Sequence, residues 1–143
     1  MEPFGFYPLS TLPAPYDTVW CRFPYVEAPG VPAPDHHPGL IRQIFADQDG
    51  NPWVRVVYGT SKDPFRNQLE YFTISNLPEM DMCGLKCATR FCLARDAELP
   101  WGPDFFDAHE GRTSPIIGHL SEHGQRLLQV QISYWRNAQE RRK

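Results

Sequence analysis

The sequence predicts a mainly β fold, a small and strongly bent β-barrel followed by a C-terminal helix, and three observations lead to it. Proline and glycine account for 15 and 10 of the 143 residues, a content typical of many turns between short elements. Alternating apolar and polar residues recur in short runs, which is the period of strands buried on one face. Only the last segment repeats its apolar residues at helical spacing. The length fits one domain with one core.

Short alternating segments define the predicted strands. They occupy residues 17–27, 39–47, 52–60, 72–76, 84–95 and 116–120. The second and third strands flank Asp49-Gly50, a dipeptide favoured in tight hairpin turns, so residues 39–60 are predicted to form a hairpin. Residues 28–38 and 77–84 are rich in turn-forming residues and are predicted to be a loop and a turn.

The chain ends in its one predicted helix, at about 121–140. Ser121 has the residue type and the position of an N-cap. The apolar residues that recur at helical spacing, and that should face the core, are Leu127, Leu128, Ile132 and Trp135.

The predicted domain organisation is simple. Residues 1–16, rich in proline and without a period, are predicted to form an extended arm before a single domain at 17–143. Within that domain an irregular insertion is expected at about 95–114. Its aromatic residues, which should anchor it on the core or at an interface, are Trp101, Phe105 and Phe106.

The charge of the chain narrows its possible partners. The formal net charge is −3 at pH 7 with the histidines neutral, and the basic stretch 136–143 leaves the remainder more acidic than this total. Such a chain lacks the broad positive surface that binds DNA without regard to sequence. A local groove for nucleic acid is compatible with this charge.

The sequence favours a cytoplasmic protein without a metal or a membrane segment. Cys83, Cys87 and Cys92 are not arranged in the CxxC pair typical of zinc sites, so reduced thiols packed in the core are expected. His119 and His123 have the spacing of ligands on one helix face but lack a third ligand motif. The N-terminus has neither part of a signal peptide, and no run approaches the ~18 apolar residues of a spanning helix.

Two adjacent histidines, His36 and His37, lie between prolines in the 28–38 loop. With an ordinary pKa of about 6.5, each can take up or release a proton near neutral pH. The pair therefore admits two interpretations, an acid/base pair or solvated loop residues without a role. The residue types alone favour the second.

Five motifs follow one another along residues 17–135. The first two are "DTVWCRFPYVE", similar to a strand of the type G-D-[IV]-V-W-V-x-F, and "HHPGLI", similar to [KHR]-R-P-[AG]-[LV]-V. The next is "VVYGTSK", similar to the strand end P-[IL]-T-[ST]. The last two are "GLKCATRFCL", similar to a later strand, and "IIGHLSEHGQRLL", similar to a stretch that leads into a closing helix. In this order they resemble the MazF/PemK-like toxins, a family in which the 1–16 arm and the 95–114 insertion have no counterpart.

The resemblance implies an SH3-like barrel of the MazF/PemK/CcdB type, a homodimer, and a cognate antitoxin protein as partner. It also implies the toxin component of a type II toxin–antitoxin system, a metal-independent endoribonuclease that cleaves single-stranded RNA without a cofactor. In that reaction the neighbouring 2′-hydroxyl attacks the phosphate, leaving a 2′,3′-cyclic phosphate and a 5′-hydroxyl. A base must take the 2′-hydroxyl proton, an acid must protonate the leaving oxygen, and positive charge must stabilise the phosphorane.

The family's functional residues can be carried over by position. Its threonine corresponds to Thr60, and its arginine position holds His37. The resemblance therefore implies His37 and Thr60 as catalytic residues, with His36 as a second candidate acid or base. The side chains expected to contact RNA are Ser61, Lys62, Arg22, Arg42 and Arg66.

The histidine at the arginine position departs from the family pattern and leaves two functions open. Arginine is permanently charged and binds phosphate with two parallel hydrogen bonds, whereas histidine exchanges protons. In one interpretation His36 and His37 act as acid and base. The positive charge then comes from Lys62, Arg42 or Arg66. In the other, the barrel cuts nothing and instead binds a protein target, which it inhibits or regulates.

Overall fold

A computed structural model of the chain describes residues 4–108 and 111–142. Its strands are β1 (Asp17–Cys21), β2 (His37–Ala46), β3 (Pro52–Thr60), β4 (Tyr71–Ile74), β5 (Thr89–Pro100) and β6 (Ile116–His119). Its helices are a 3₁₀ turn (Leu9–Thr11), α1 (Leu77–Met82) and α2 (Glu122–Arg141). In this part of the chain no helix combines the length and the apolar character needed to cross a membrane.

The strands form one curled sheet. All six are antiparallel to their neighbours, in the order β4-β5-β3-β2-β1-β6, and the sheet curls into a half-barrel. The predicted mainly β class with a C-terminal helix is therefore confirmed. The predicted hairpin is confirmed as well, because β2 and β3 pair from Gly39 opposite Tyr58 to Ala46 opposite Pro52.

Both faces of the sheet are covered. On one face α2 contributes Leu128 and Ile132 to a core that also holds Leu40, Val57 and Phe91. On the other face the segment after β5 contributes its aromatic residues to a second core. These are Trp101, Phe105 and Phe106, each at most 1 % exposed. The expectation that these aromatic residues anchor their segment on the core is therefore confirmed.

The N-terminal arm, described from residue 4 onwards, lies against that aromatic segment. The Tyr7 backbone N–H donates to the Trp101 carbonyl at 2.9 Å, and its hydroxyl donates to the Phe106 carbonyl. The Gly5 N–H donates to the Asp104 carboxylate at 2.9 Å. These hydrogen bonds join the beginning of the chain to the segment that follows β5.

The predicted boundary between β5 and the insertion is wrong. The strand predicted at 84–95 begins at Thr89 and runs on to Pro100, so residues 95–100 of the expected irregular insertion belong to the sheet. Charged residues hid this half of the strand, because Asp96 and Glu98 lie on its exposed side and pair there with Arg55 of β3. Residues 109 and 110 of the insertion lie outside the described residues.

Two further predicted elements are corrected. The turn predicted at 77–84 contains α1, which is capped by the Asn76 side chain and carries Pro78 in its first turn, where a missing N–H is tolerated. The first strand, predicted at 17–27, ends at Cys21. The N–H of Arg22 donates instead to the Phe105 carbonyl at 2.8 Å.

The predicted helix is confirmed, but one residue of its predicted core face is not. Ser121 caps α2, because its hydroxyl oxygen accepts the Gly124 N–H at 2.9 Å. Glu79 of α1 fixes this cap by accepting the Ser121 N–H at 2.8 Å. Leu127, however, is 49 % exposed and lies on the outer side of the helix, away from Leu128.

Substitution of Gly118 tests the close packing between β6 and the end of α1. An added Cβ would lie 2.3 Å from the Met82 carbonyl oxygen, a backbone atom that cannot move aside cheaply. We expect Gly118→Ala to lower the free energy of unfolding in urea by about 1–3 kcal/mol, the usual cost of overpacking. Gly30→Ala is the control, since a Cβ there meets nothing within 4 Å. Equal stability of the two variants would contradict the described packing.

Candidate functional site

The ends of three strands and one loop meet where the sequence places its histidine pair. Cys21 at the end of β1 lies opposite His37 at the start of β2. The β2–β3 ladder ends at Tyr58, and Thr60 follows at the same end of the sheet. An isolated bridge between Cys21 and Phe106 brings the segment after β5 to this point. We call this region the strand-end site.

His36 is held by a carboxylate and an aromatic ring. Its Nε2 lies 2.5 Å from Asp107 Oδ1, and its ring stacks on Trp20 with the planes 4° apart and the centroids separated by 5.7 Å. Arg22 lies beside this pair. Its Nη2 is 3.3 Å from Asp107 Oδ2, and its Nε is 3.3 Å from His36 Nε2. Because the carboxylate contact is the shorter one, Nε2–H donates to Asp107, and Nδ1 is left as the acceptor in the neutral ring.

His37 occupies a different environment from its neighbour. Its ring lies 5.0 Å from that of Tyr58, centroid to centroid, and Nδ1 is 3.5 Å from the tyrosine hydroxyl. Burial lowers the pKa of His37, and the positive charge of Arg95 lowers it further, against the opposing effects of Asp35 and the Gly59 backbone. At neutral pH His37 is therefore a neutral imidazole, the form that accepts a proton.

Arg95 brings a guanidinium to His37 from another strand. Its Cζ lies 4.1 Å from the centroid of the Tyr58 ring and 5.4 Å from that of Phe23. Its Nε is buried without a hydrogen-bond partner among the described residues. The β3–β5 register changes between Val57 and Gly59, and Arg95 belongs to the extra residues of β5 at that break. A cation with an unused donor thus lies beside a neutral imidazole.

The predicted residues at the end of β3 have separate roles in the structure. Thr60 is only 7 % exposed, and its Oγ1 accepts the Lys62 N–H at 3.1 Å, so it shapes the turn. Ser61 is exposed and lines a cavity of about 240 Å³. Lys62 is exposed, and its carbonyl accepts from Arg90 Nη2 at 3.1 Å.

The cavity beside Ser61 has an apolar lining and cationic residues. Trp20, Pro38, Leu85 and Ile117 give it an apolar surface. Lys86 and Arg112 also line it. Trp20 is shared, since it lines this cavity and stacks on His36, and it therefore links the cavity to the strand-end site. The volume and the lining are compatible with a planar, partly polar ring.

Two of the predicted RNA contacts lie outside the strand-end site. Arg42 lines a groove between the sheet and α2 together with Arg136. Arg66 precedes β4, and its Cζ lies 5.5 Å from the centroid of the Tyr71 ring. Of the three predicted arginines, Arg22 is the one that lies at the site.

Sequence reasoning missed Tyr58, Arg95 and Asp107. Asp107 directly follows Phe106, so a buried aromatic pair followed by a carboxylate was a usable signal. Tyr58 lies two residues before Thr60 on β3, where alternation along the strand gave a weaker signal. Arg95 had no local signal, because its position depends on the register break between β3 and β5.

Within residues 4–108 and 111–142, no group of three or more His, Cys, Asp or Glu side chains is arranged to hold a metal ion. Cys21 and Cys83 are buried free thiols, as expected, whereas Cys87 is exposed.

No protein-family model, curated protein or solved structure matches the chain.

The lowered pKa of His37 predicts a pH-dependent loss of stability. The unfolded chain, with an ordinary histidine pKa near 6.5, binds this proton more readily than the folded chain, so acidification below about pH 6.5 favours unfolding. We expect wild type to lose more unfolding free energy between pH 7.5 and pH 5.5 than His37→Gln, which lacks the titrating ring. His123→Gln, which removes an exposed imidazole of α2, should lose as much as wild type. Equal losses in wild type and His37→Gln would contradict the environment described for His37.

Proposed function

We propose that this chain is a metal-independent endoribonuclease that cleaves single-stranded RNA through attack of the 2′-hydroxyl. One observation carries the proposal: the half-buried imidazole of His37 lies beside the guanidinium of Arg95, whose buried Nε has no hydrogen-bond partner among the described residues. An imidazole kept neutral by its surroundings is suited to accept the 2′-hydroxyl proton. A preorganised guanidinium is suited to the charge that develops on the phosphorane.

The proposed reaction uses the two histidines in different roles. His37 accepts the 2′-hydroxyl proton while the 2′-oxygen forms its bond to phosphorus. The bond from phosphorus to the 5′-oxygen breaks, and His36, oriented by Asp107, acts as the acid that donates a proton to that leaving oxygen. The products are a 2′,3′-cyclic phosphate and a 5′-hydroxyl. We propose that Arg22, which lies beside Asp107, contacts the neighbouring phosphate.

Arg95 can supply the guanidinium that the family pattern provides from another position. The MazF/PemK-like pattern has arginine where this chain has His37, and the guanidinium here comes from β5 instead. Thr60 is then a positioning residue, because its hydroxyl holds the turn that carries Ser61 to the cavity. We propose that the cavity beside Trp20 accepts an RNA base, which can stack on the indole ring.

We also propose a fold type, a cellular location and an assembly for this protein. The half-barrel is compatible with an SH3-like fold of the MazF/PemK/CcdB type. We propose that the protein acts in the cytoplasm as the toxin of a type II toxin–antitoxin pair. Leu127, Val130 and Tyr134 form an exposed apolar stripe on α2, each at least 49 % exposed. Such a stripe suits a protein contact, as in the proposed homodimer or in a complex with a cognate antitoxin.

An RNA cleavage assay tests the proposed activity. The purified protein, incubated with a long unstructured RNA and EDTA, should release fragments with cyclic phosphate ends. His37→Ala should abolish these ends, and Arg95→Gln should slow their release by about 10²–10³-fold, as when a preorganised donor to the developing charge is removed. His123→Ala is the matched control and should cleave at the wild-type rate. Absence of cleavage across many RNAs, or full activity of His37→Ala, would overturn the proposal.

A second candidate function is binding and inhibition of a protein target without catalysis. It is favoured by the exposed apolar side chains of the β1–β2 loop beside the site. Tyr25, Val26 and Val31 are 45 %, 77 % and 59 % exposed. Such side chains are typical of a protein contact surface.

Growth inhibition separates the two functions. If the chain arrests growth by binding, arrest on overexpression should survive the double variant His37→Ala/Thr60→Ala and disappear in Val26→Asp/Val31→Asp. If it acts as a nuclease through the strand-end site, the double alanine variant should lose the arrest. Circular dichroism of each variant verifies that the fold is retained.

A further inference from the structure

A second charged groove lies between the sheet and the C-terminal half of α2. Its volume is about 470 Å³. Val57, Leu93 and Ile132 supply apolar surface, and the Trp135 ring lines it from the helix. Arg42 reaches it from β2, Arg55 from β3 and Arg136 from α2. Three separate elements therefore direct guanidinium groups into one groove.

Arg42 lies at a β-bulge beside this groove. Ile41 lies opposite Val56 and Gln43 lies opposite Arg55, so Arg42 is the extra residue of β2 at a break in the β2–β3 register. Bulges are common next to functional sites. Leu40 and Arg42 lie on the α2 face, whereas Ile41 between them is buried in the core on the other face. The bulge adds Gln43 to the groove side, next to Arg42.

The charges in the groove are not balanced. Arg55 is paired with Asp96 at 3.5 Å and also with Glu98. Neither Arg42 nor Arg136 makes an ion pair among the described residues, and Arg42 Nη1 is buried without a hydrogen-bond partner. A buried guanidinium nitrogen without a hydrogen-bond partner is costly, so the site favours an anion that would accept from it.

The electrostatics of Arg42 agree with this description. Burial lowers the pKa of Arg42, and the like charge of Arg136 lowers it further, while Tyr16 and Asp96 raise it. Because Arg42 and Arg136 line the same groove, one doubly charged group can contact both.

We propose that this groove binds a phosphate monoester, whose oxygens are held between the guanidinium groups of Arg42 and Arg136. Guanidinium forks match phosphate oxygens, and a dianion neutralises both cations, which a single carboxylate does not. Trp135 and the apolar surface then accommodate the organic part of the ligand. The site is independent of the nuclease activity proposed above, since none of its residues lies at the strand-end site.

Calorimetric titration tests the site with inorganic phosphate, a 5′-nucleoside monophosphate, and an RNA oligonucleotide that lacks terminal phosphates. We expect the nucleotide to bind more tightly than inorganic phosphate, and Arg136→Gln to weaken both at least tenfold. Arg126→Gln, the same charge change at an exposed position of α2, should bind like wild type. Sodium chloride at matched ionic strength controls for general screening.

Melting temperatures with and without phosphate distinguish loss of phosphate binding from loss of folding. Phosphate should raise the melting temperature of wild type and of Arg126→Gln, and should not raise that of Arg42→Gln or Arg136→Gln. Without phosphate the latter two should melt no lower than wild type, because each loses a repelling charge. Equal phosphate effects in all four proteins would overturn the proposal. If the unphosphorylated oligonucleotide binds more tightly than the nucleotide, and if Arg136→Gln loses this binding, the ligand is the RNA backbone and the monoester assignment is overturned.

Discussion

The structure depends on how β3 is held between two strands that both lose register against it. On one side the register with β2 changes between Ile41 and Gln43, and on the other the register with β5 changes across Tyr58. Each break bends the sheet and increases its twist, which is how a six-stranded sheet curls around its centre. Gly59 lies where β3 packs closely on β5, since a Cβ there would approach the Phe91 ring to 2.6 Å.

The two unusual arginines lie at these same two breaks. Arg42 lies at the β2 break and Arg95 at the β5 break, and each carries a buried nitrogen without a hydrogen-bond partner among the described residues. Arg42 lies on the α2 face with Leu40, as the alternation of β2 requires. Arg95 lies on the face opposite to Leu93, because the break changes the alternation of β5. Each face of the half-barrel therefore carries a cation beside a register break. The cost of leaving them unpaired is the physical reason to look for anions at both places.

The sequence predicted local features well and non-local ones poorly. Asp49-Gly50 marked the hairpin and Ser121 marked the helix start, because turn and cap preferences are decided by neighbouring residues. The second half of β5 was missed, since Asp96 and Glu98 look like loop residues until Arg55 is placed opposite them. The short helix α1 carried a signal, the cap residue Asn76, that was outweighed by its turn-forming composition.

The candidate site shows the same division between local and non-local information. The position of His37 at a strand start and of Thr60 at a strand end followed from the hairpin. The partners that define their chemistry did not, because Asp107 and Arg95 reach the histidines through tertiary packing and a register break. The resemblance could not indicate these partners, because Arg95 and Asp107 both lie between the fourth and the fifth motif, in a part of the chain that no motif covers.

The hydrogen bond from Tyr7 has a consequence at a distance. The tyrosine hydroxyl holds the Phe106 carbonyl, the next residue is Asp107, and Asp107 orients His36. A mechanical link therefore runs from the beginning of the chain to a ring at the strand-end site, through two hydrogen bonds and one peptide unit. Displacement of the arm from the segment after β5, for example by a fused domain or a bound chaperone, would therefore change the orientation of His36 without any direct contact to it.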